Sequence, residues 1–253
     1  MTKDATALID RVDLLAATGL LTRFPITVDT GRAMERGAAS AWSYPLVGVI
    51  LGTILAALAP LLQAIGLPVG IVAGLILAVS VILTGAMHED GLADCADGFW
   101  GGWDRARRLE IMKDSHIGVY GVCAIAISLL LRWLALVAIV SLGIYWVALI
   151  AVGTLSRASM VVVMAAMPHA RDTGLSRSVG RPPSKTMWLA VGIAALVAVL
   201  AGQPWLIAVA IVATIISALI AKAKFGGQTG DVLGATQQVT EMAMLLAVVA
   251  GFS

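Results

Sequence analysis

The chain has 253 residues, 60% of them apolar and only 13% charged, with a formal net charge of +2 and a mean hydropathy of +0.96. That composition excludes a soluble globule, offers nothing for a nucleic acid to bind, and leaves room for one membrane-embedded domain, residues 1–253. Every charge near the bilayer must then serve topology or chemistry, because an ionised side chain at mid-membrane costs about 3 kcal/mol or more.

In chain order, segment 1–44 opens with MTKDATALIDRVDLL, which lacks the basic start and unbroken apolar core of a signal peptide. Leu8, Ile9, Val12, Leu15 and Leu20 roughly follow helical spacing among Asp4, Asp10, Arg11 and Asp13. The spacing predicts an amphipathic helix on the cytoplasmic membrane surface or packed against loops. Arg23-Phe24-Pro25 either presents a guanidinium to an anionic ligand or marks a helix ended by proline.

Apolar runs predict an all-α bundle of about seven spans: 45–62, 67–84, 119–140, 144–167, 187–202, 205–221 and a shorter last one at 239–252. Fifteen of the 17 Lys and Arg fall in 1–44, 85–118, 168–186 and 222–238. By the positive-inside rule the N-terminus and these long loops are expected in the cytoplasm.

Residues 88–98, HEDGLADCADG, hold four carboxylates and a histidine. If the second span continues through them as a helix, Asp90, Asp94 and Asp97 fall within an arc of about 60°. Converging carboxylates repel unless a cation holds them, and an all-oxygen set suits Mg²⁺ or Mn²⁺, which share their coordination with phosphate. A solvated acidic loop is the alternative. His88 could hold a phosphate, relay a proton or simply bond to backbone. Glu89 lies off that face and is expected to face water or stand behind the site.

Downstream, Gly98-Phe99-Trp100-Gly101-Gly102 ends the helix, and Arg105, Arg107, Arg108 and Lys113 can neutralise phosphate charge or merely reflect topology. The compact Lys113-Asp114-Ser115 is preferred over Arg105 as part of the site. Arg132 and Arg157 lie inside spans; Arg157 must face a cavity, snorkel or pair with an acid, whereas Arg132 is read as structural. Loop 168–186, rich in Arg, Ser and Gly, is either a lid over an anionic substrate or topogenic disorder. A second polar stretch, GGQTGDVLGATQQ at 226–238, places Thr229 before Asp231 and Gln238 seven residues later on the same face, as a phosphate cradle or as close helix packing. Cys95 and Cys123 have no metal spacing.

The runs TGAMHEDGLADCADGFWGG at 84–102, RRLEIMKDSHIGVYG at 107–121 and GGQTGDVLGATQQ at 226–238 resemble the cobalamin synthase family, the adenosylcobinamide-GDP ribazoletransferases. Arg23-Phe24-Pro25 and Trp42-Ser43-Tyr44-Pro45-Leu46-Val47-Gly48 agree, so the resemblance covers essentially the whole chain. Cys95 stands where the family commonly has threonine, and His116 where it commonly has arginine.

The resemblance implies a multi-pass enzyme of the bacterial inner membrane with its site on the cytoplasmic face. It implies that the 3′-hydroxyl of α-ribazole, or of its 5′-phosphate, attacks adenosylcobinamide-GDP and releases GMP. One or two Mg²⁺ ions, with Mn²⁺ as an alternative, would sit on Asp90, Asp94, Asp97 and Asp231. One of these acids or His88 would take the hydroxyl proton, while Lys113, Arg107 and Arg108 steady the departing GMP. Arg23, Asp114, Arg157, Thr229 and Gln238 complete the expected substrate contacts. The corrin would be held by shape and apolar contact, and a homo-oligomer is compatible with the sequence.

Three other readings share parts of this pattern. A prenyltransferase should carry two aspartate-rich motifs, and the second region here offers only Asp231. A CDP-alcohol phosphotransferase should carry Ala-Arg close behind Asp-Gly, but Ala106-Arg107 lies far from Asp90-Gly91. A divalent-cation transporter should spread polar residues along its spans, which here look nearly devoid of them.

Overall fold

The computed structural model describes residues 7–252, which are helical apart from turns and one isolated bridge. The first helix, α1 (Arg11–Leu21), is closed by a capping box: Asp10 accepts from the Val12 amide, and Asp13 accepts from the Asp10 amide. Asp13 does not lie on a solvated polar face. It is fully buried, gripped by the Arg36 Nε and Nη2 at 2.8 and 2.7 Å and by the Trp42 indole N–H at 2.7 Å. The expected surface-lying helix is thus clamped by charge onto α2 (Thr30–Arg36) and a 3₁₀ segment (Gly37–Ser43). Leu8 and Ile9 precede α1, and Asp4 lies outside the described residues.

The bundle comprises α3 (Tyr44–Ala64), α4 (Val69–Thr84), α7 (Val119–Ser141), α8 (Tyr145–Ala166), α10 (Ser184–Leu200), α11 (Leu206–Phe225) and α12 (Gly230–Gly251). Between them lie three shorter helices: α5 (Met87–Gly101), α6 (Arg105–Ile111) and α9 (Leu175–Val179). Helices occupy all seven expected positions, but among the described residues only five, α3, α7, α8, α11 and α12, are long and apolar enough to cross a membrane. The number rises to six if α4 and α5 are counted as one broken span. At 17 residues α10 falls short, since about 1.5 Å per residue does not reach a core about 30 Å thick. The last helix begins at Gly230, nine residues earlier than expected, and is 22 residues long. Deeply buried α8 packs on α3, α10, α11 and α12 and forms the spine of the bundle.

The second span does not run straight into the acidic segment. Gly85 (φ 64°) and Ala86 (φ 57°) both adopt the left-handed conformation, so α4 stops at Thr84 and α5 leaves at 86° to it. Glycine takes that conformation freely, whereas Ala86 is strained there. The Arg23 amide donates to Leu83 O at 2.7 Å, and the Arg23 side chain lies across Gly85, bracing the bend from outside. Because α5 turns off α4 at this angle, we read it as running along the membrane face, outside the spans.

Candidate functional site

The two acidic stretches meet because α5 and α12 touch through glycines. A Cβ on Gly91 would come within 2.7 Å of Asp231 O and 3.0 Å of its Cα; one on Gly234 would come within 3.3 Å of His88 Cα. Backbones this close are available only to glycine. They bring Asp90 and Asp94 of α5 beside Asp231, in the first turn of α12. The Thr229 hydroxyl caps that turn by accepting from the Val232 amide and donates to Asp231 Oδ2, both at 3.2 Å.

The acids strain against one another. Burial first, then the neighbouring Asp231 and Asp90 carboxylates, push the Asp94 carboxyl up to about 7. Arg171 offsets part of this charge: its Nη1 lies 3.2 Å from Asp231 Oδ2, and its Nη2 donates to Leu109 O at 3.1 Å. Asp97 shares the helical face of Asp90 and Asp94, but the structure gives it another task. It is buried, and its two oxygens accept from the amides of Gly118 (2.7 Å) and Gly121 (2.9 Å), capping the start of α7. Asp97 is thereby taken out of the expected set of Asp90, Asp94, Asp97 and Asp231, of which the other three remain near one another.

Among the described residues, no three His, Cys, Asp or Glu side chains stand close enough to hold a metal ion by themselves. Mg²⁺ seldom asks for that; it is usually held by one or two carboxylates together with substrate phosphates and water. The all-oxygen donors Asp90 and Asp231, on facing helices at an open mouth, fit it on those terms.

Behind the mouth lies a cavity of about 300 Å³. Leu21, Tyr44, Met160, Met164 and Leu233 line its apolar part, His88 stands in its wall, and Asp90, Arg171, Thr229 and Asp231 rim it. Residues 173–177 also line it, so loop 168–186 forms part of the wall of the site. His169 and Gln228 pair as a bridge: the Ala170 amide donates to Gln228 O at 2.9 Å and the Gln228 amide to Pro168 O at 2.8 Å. Their side chains meet at 3.0 Å, and the Ser176 hydroxyl donates to Gln228 Oε1. Arg105, ranked behind Lys113 and Asp114 on sequence grounds, donates to Ala170 O at 3.2 Å and lies over Gly226, tying the same two segments together.

His88 is fully buried, and neither ring nitrogen has a hydrogen-bond partner among the described residues. Burial first, then the nearby Arg157 guanidinium, hold its pKa down to about 3, which makes it neutral and a poor proton relay at pH 7. Glu89 is not solvated: it is 6% exposed and receives Arg132 Nη1 at 2.9 Å. Arg132 also reaches Gln238 Oε1 and Glu241 Oε1, each at 2.8 Å, and Arg157 Nη1 meets Glu241 Oε2 at 3.1 Å. Gln238 and Arg157, expected at the substrate, are thus bound into a buried network deeper in the bundle. The spans are not devoid of polarity: Arg132, Arg157 and Glu241 stand within them and, with Glu89 of α5, pair into one buried cluster rather than marking a path.

The remaining expected residues gather elsewhere. Arg107 pairs with exposed Glu110 at 2.8 Å, Asp114 pairs with exposed His116 at 2.7 Å, and Lys113 is exposed. Arg107 and Asp114 border an open groove beside Asp97 and Tyr120; Arg108 and Lys113 line neither that groove nor the cavity, and Arg23 sits at the bend. Sequence reasoning misses Arg171, His169, Gln228, Tyr44 and Glu241. Gln228 and His169 lie within the two stretches, 226–238 and 168–186, that stand out in the sequence, but their pairing has no local signature.

Residues 13–249 match the profile of the family described as cobalamin-5-phosphate synthase. The chain is 40% identical over 238 residues to the adenosylcobinamide-GDP ribazoletransferase of Bradyrhizobium diazoefficiens, covering 92% of each. It is 40% identical over 252 residues to the protein of that name from Azorhizobium caulinodans, covering 93% of this chain and 96% of the other. The like-named protein of Chlorobium phaeovibrioides is 36% identical over 249 residues, 95% and 98% of the two chains. No solved structure matches.

Proposed function

The chain belongs to the cobalamin-5-phosphate synthase family, and from that premise we propose that the α5–α12 junction performs the ribazoletransferase reaction of cobalamin biosynthesis. The enzyme joins adenosylcobinamide-GDP to α-ribazole. The 5′-phosphate of α-ribazole would serve equally as acceptor. The ribazole 3′-hydroxyl oxygen forms a bond to the cobinamide-linked phosphorus, the bond from that phosphorus to the bridging oxygen breaks, and GMP departs with that oxygen. The observation that carries this reading is the meeting of Asp90 and Asp231 at the mouth of a largely apolar cavity, with Asp94 near enough to feel both charges.

The residues divide the work by position. Asp94, matched to neutrality by burial and then by its neighbours, accepts the hydroxyl proton. Arg171 can exchange its contact with Asp231 for a phosphate oxygen of the diphosphate. Asp90 and Asp231 would hold Mg²⁺, or Mn²⁺ in its place, and the ion would neutralise the charge of the diphosphate. With Lys and Arg concentrated in the segments that flank the site, the mouth faces the cytoplasm and the protein resides in the inner membrane.

Purified protein supplied with Mg²⁺, adenosylcobinamide-GDP and α-ribazole or its phosphate is expected to release GMP and form the joined corrinoid, both read by chromatography. Chelation of the divalent ion should stop it. A folded wild type that yields neither product would overturn the assignment. Gly91→Ala should lower turnover about 10²-fold, because its methyl group forces α5 off the Asp231 backbone and misplaces Asp90 and Asp94. Near-normal turnover of a well-folded Gly91→Ala protein would show that this approach does not set the geometry.

A further inference from the structure

Two polar side chains stand in the cavity wall. Tyr44 is 2% exposed and His88 1%, and both line the cavity; neither ring nitrogen of His88 meets a partner among the described residues, while the Tyr44 hydroxyl keeps some exposure to the cavity. A phenol at such a wall ordinarily finds an acceptor. Around them the surface is made by Leu21, Met160, Met164 and Leu233. The cavity therefore asks for a mostly apolar body that carries an acceptor.

Size and polarity choose among the parts of the two substrates. At about 300 Å³ the space lies at the small end of ligand sites and is too small for a corrin. Guanine would bring several donors and acceptors against the apolar lining of Leu21, Met160, Met164 and Leu233, while Ser176, Gln228 and His169, which also line the cavity, are bonded to one another. The base of α-ribazole is a benzimidazole: planar, apolar on both faces, with one ring nitrogen bonded to ribose and the other free to accept. Methionine sulfur packs favourably on such rings, and Met160 and Met164 both line this wall.

Resting on the function proposed above, we propose that this cavity is the base subsite for α-ribazole, with the Tyr44 hydroxyl donating to the free ring nitrogen and the rings lying on Met160 and Met164. The ribose then projects towards Asp90, Thr229 and Asp231 at the rim, where its 3′-hydroxyl meets the diphosphate. Discrimination against purine nucleosides is a consequence, because their polar edges would be buried unpaired.

The test measures KM for each substrate separately, together with direct binding of α-ribazole to the resting protein by its own fluorescence. Tyr44→Phe should raise KM and Kd for α-ribazole about 3- to 10-fold, the range expected for one lost hydrogen bond, and leave KM for adenosylcobinamide-GDP unchanged. Met164→Trp, which fills the cavity, should abolish α-ribazole binding; a Tyr44→Phe protein that folds normally keeps the test intact should the larger residue disturb the bundle. Active variants whose KM changes only for adenosylcobinamide-GDP would overturn the subsite and leave the reaction standing. Unaltered α-ribazole binding in both variants would also overturn it and point to a lipid chain as the occupant. A wild type that binds α-ribazole in a Tyr44-dependent way yet forms no product would instead refute the proposed reaction and uphold the subsite.

Discussion

Asp94→Asn is expected to lower turnover by about 10²- to 10⁴-fold, the usual contribution of a general base, while making the protein more resistant to heat at pH 8. The second half rests on the direction of the shift. In the fold the Asp94 carboxyl rises from 3.8 to about 7, so the native state holds its proton more tightly than the unfolded chain does. The contribution is fully present below about pH 4, is lost as pH climbs to about 7, and stays lost above. Asparagine imitates the neutral form and removes that loss. Because Asp94 is only about half buried, solvent screening reduces the gain to about 1 kcal/mol, or about 2–4 °C in Tm. Thermal unfolding without divalent ions should separate the variant from wild type at pH 8 and bring the two together near pH 4. A variant less stable than wild type at pH 8, or one that turns over normally, would remove Asp94 from this role.

Glu241→Ala should be the most damaging change in the interior, with a loss of about 3–5 kcal/mol and a collapse in the yield of folded protein. Glu241 is 8% exposed and, among the described residues, is the acid that Arg132 and Arg157 share. Without it Arg132 keeps Glu89, but Arg157 retains only the Ser156 hydroxyl and the Gly153 carbonyl. A buried charge stripped of its partner costs far more than the pair contributes. Combining Glu241→Gln with Arg157→Met should therefore recover part of what Glu241→Gln alone loses, measured by thermal unfolding as a double-mutant cycle. Purely additive losses would show that the two side chains do not act on one another.

The acidic face of α5 and the seven helical positions were legible in the sequence because both are short-range periodicities. Asp90 and Asp94 stand where their spacing put them. Asp97 shares that spacing, but what decided its fate was the bare amides of Gly118 and Gly121 at the start of another helix, which no wheel drawn on α5 can show. The same limit hid the bend, since Gly85-Ala86 is an ordinary pair of small residues until Arg23 closes over it. Arg132 and Arg157 announced that buried acids must exist, and Glu241 lay in view in the last span at a matching depth. Charge balance inside the membrane could have found that partner; Glu89 could not be found so, because it looked like one more acid in an acidic run. Loop 168–186 was ambiguous by composition, and its backbone pairing with Gln228, which makes it part of the cavity wall, has no signature in composition.

That pairing makes the wall and the reacting acids parts of one lever. The strand-like contact of His169 with Gln228 sits one residue before Thr229, the cap on which the first turn of α12 and Asp231 depend. Swinging loop 168–186 aside by breaking the Ala170–Gln228 bond would pull on residue 228 and loosen the turn that aims Asp231. The wall of the cavity and the placement of Asp231 therefore hang on the same pair of backbone hydrogen bonds.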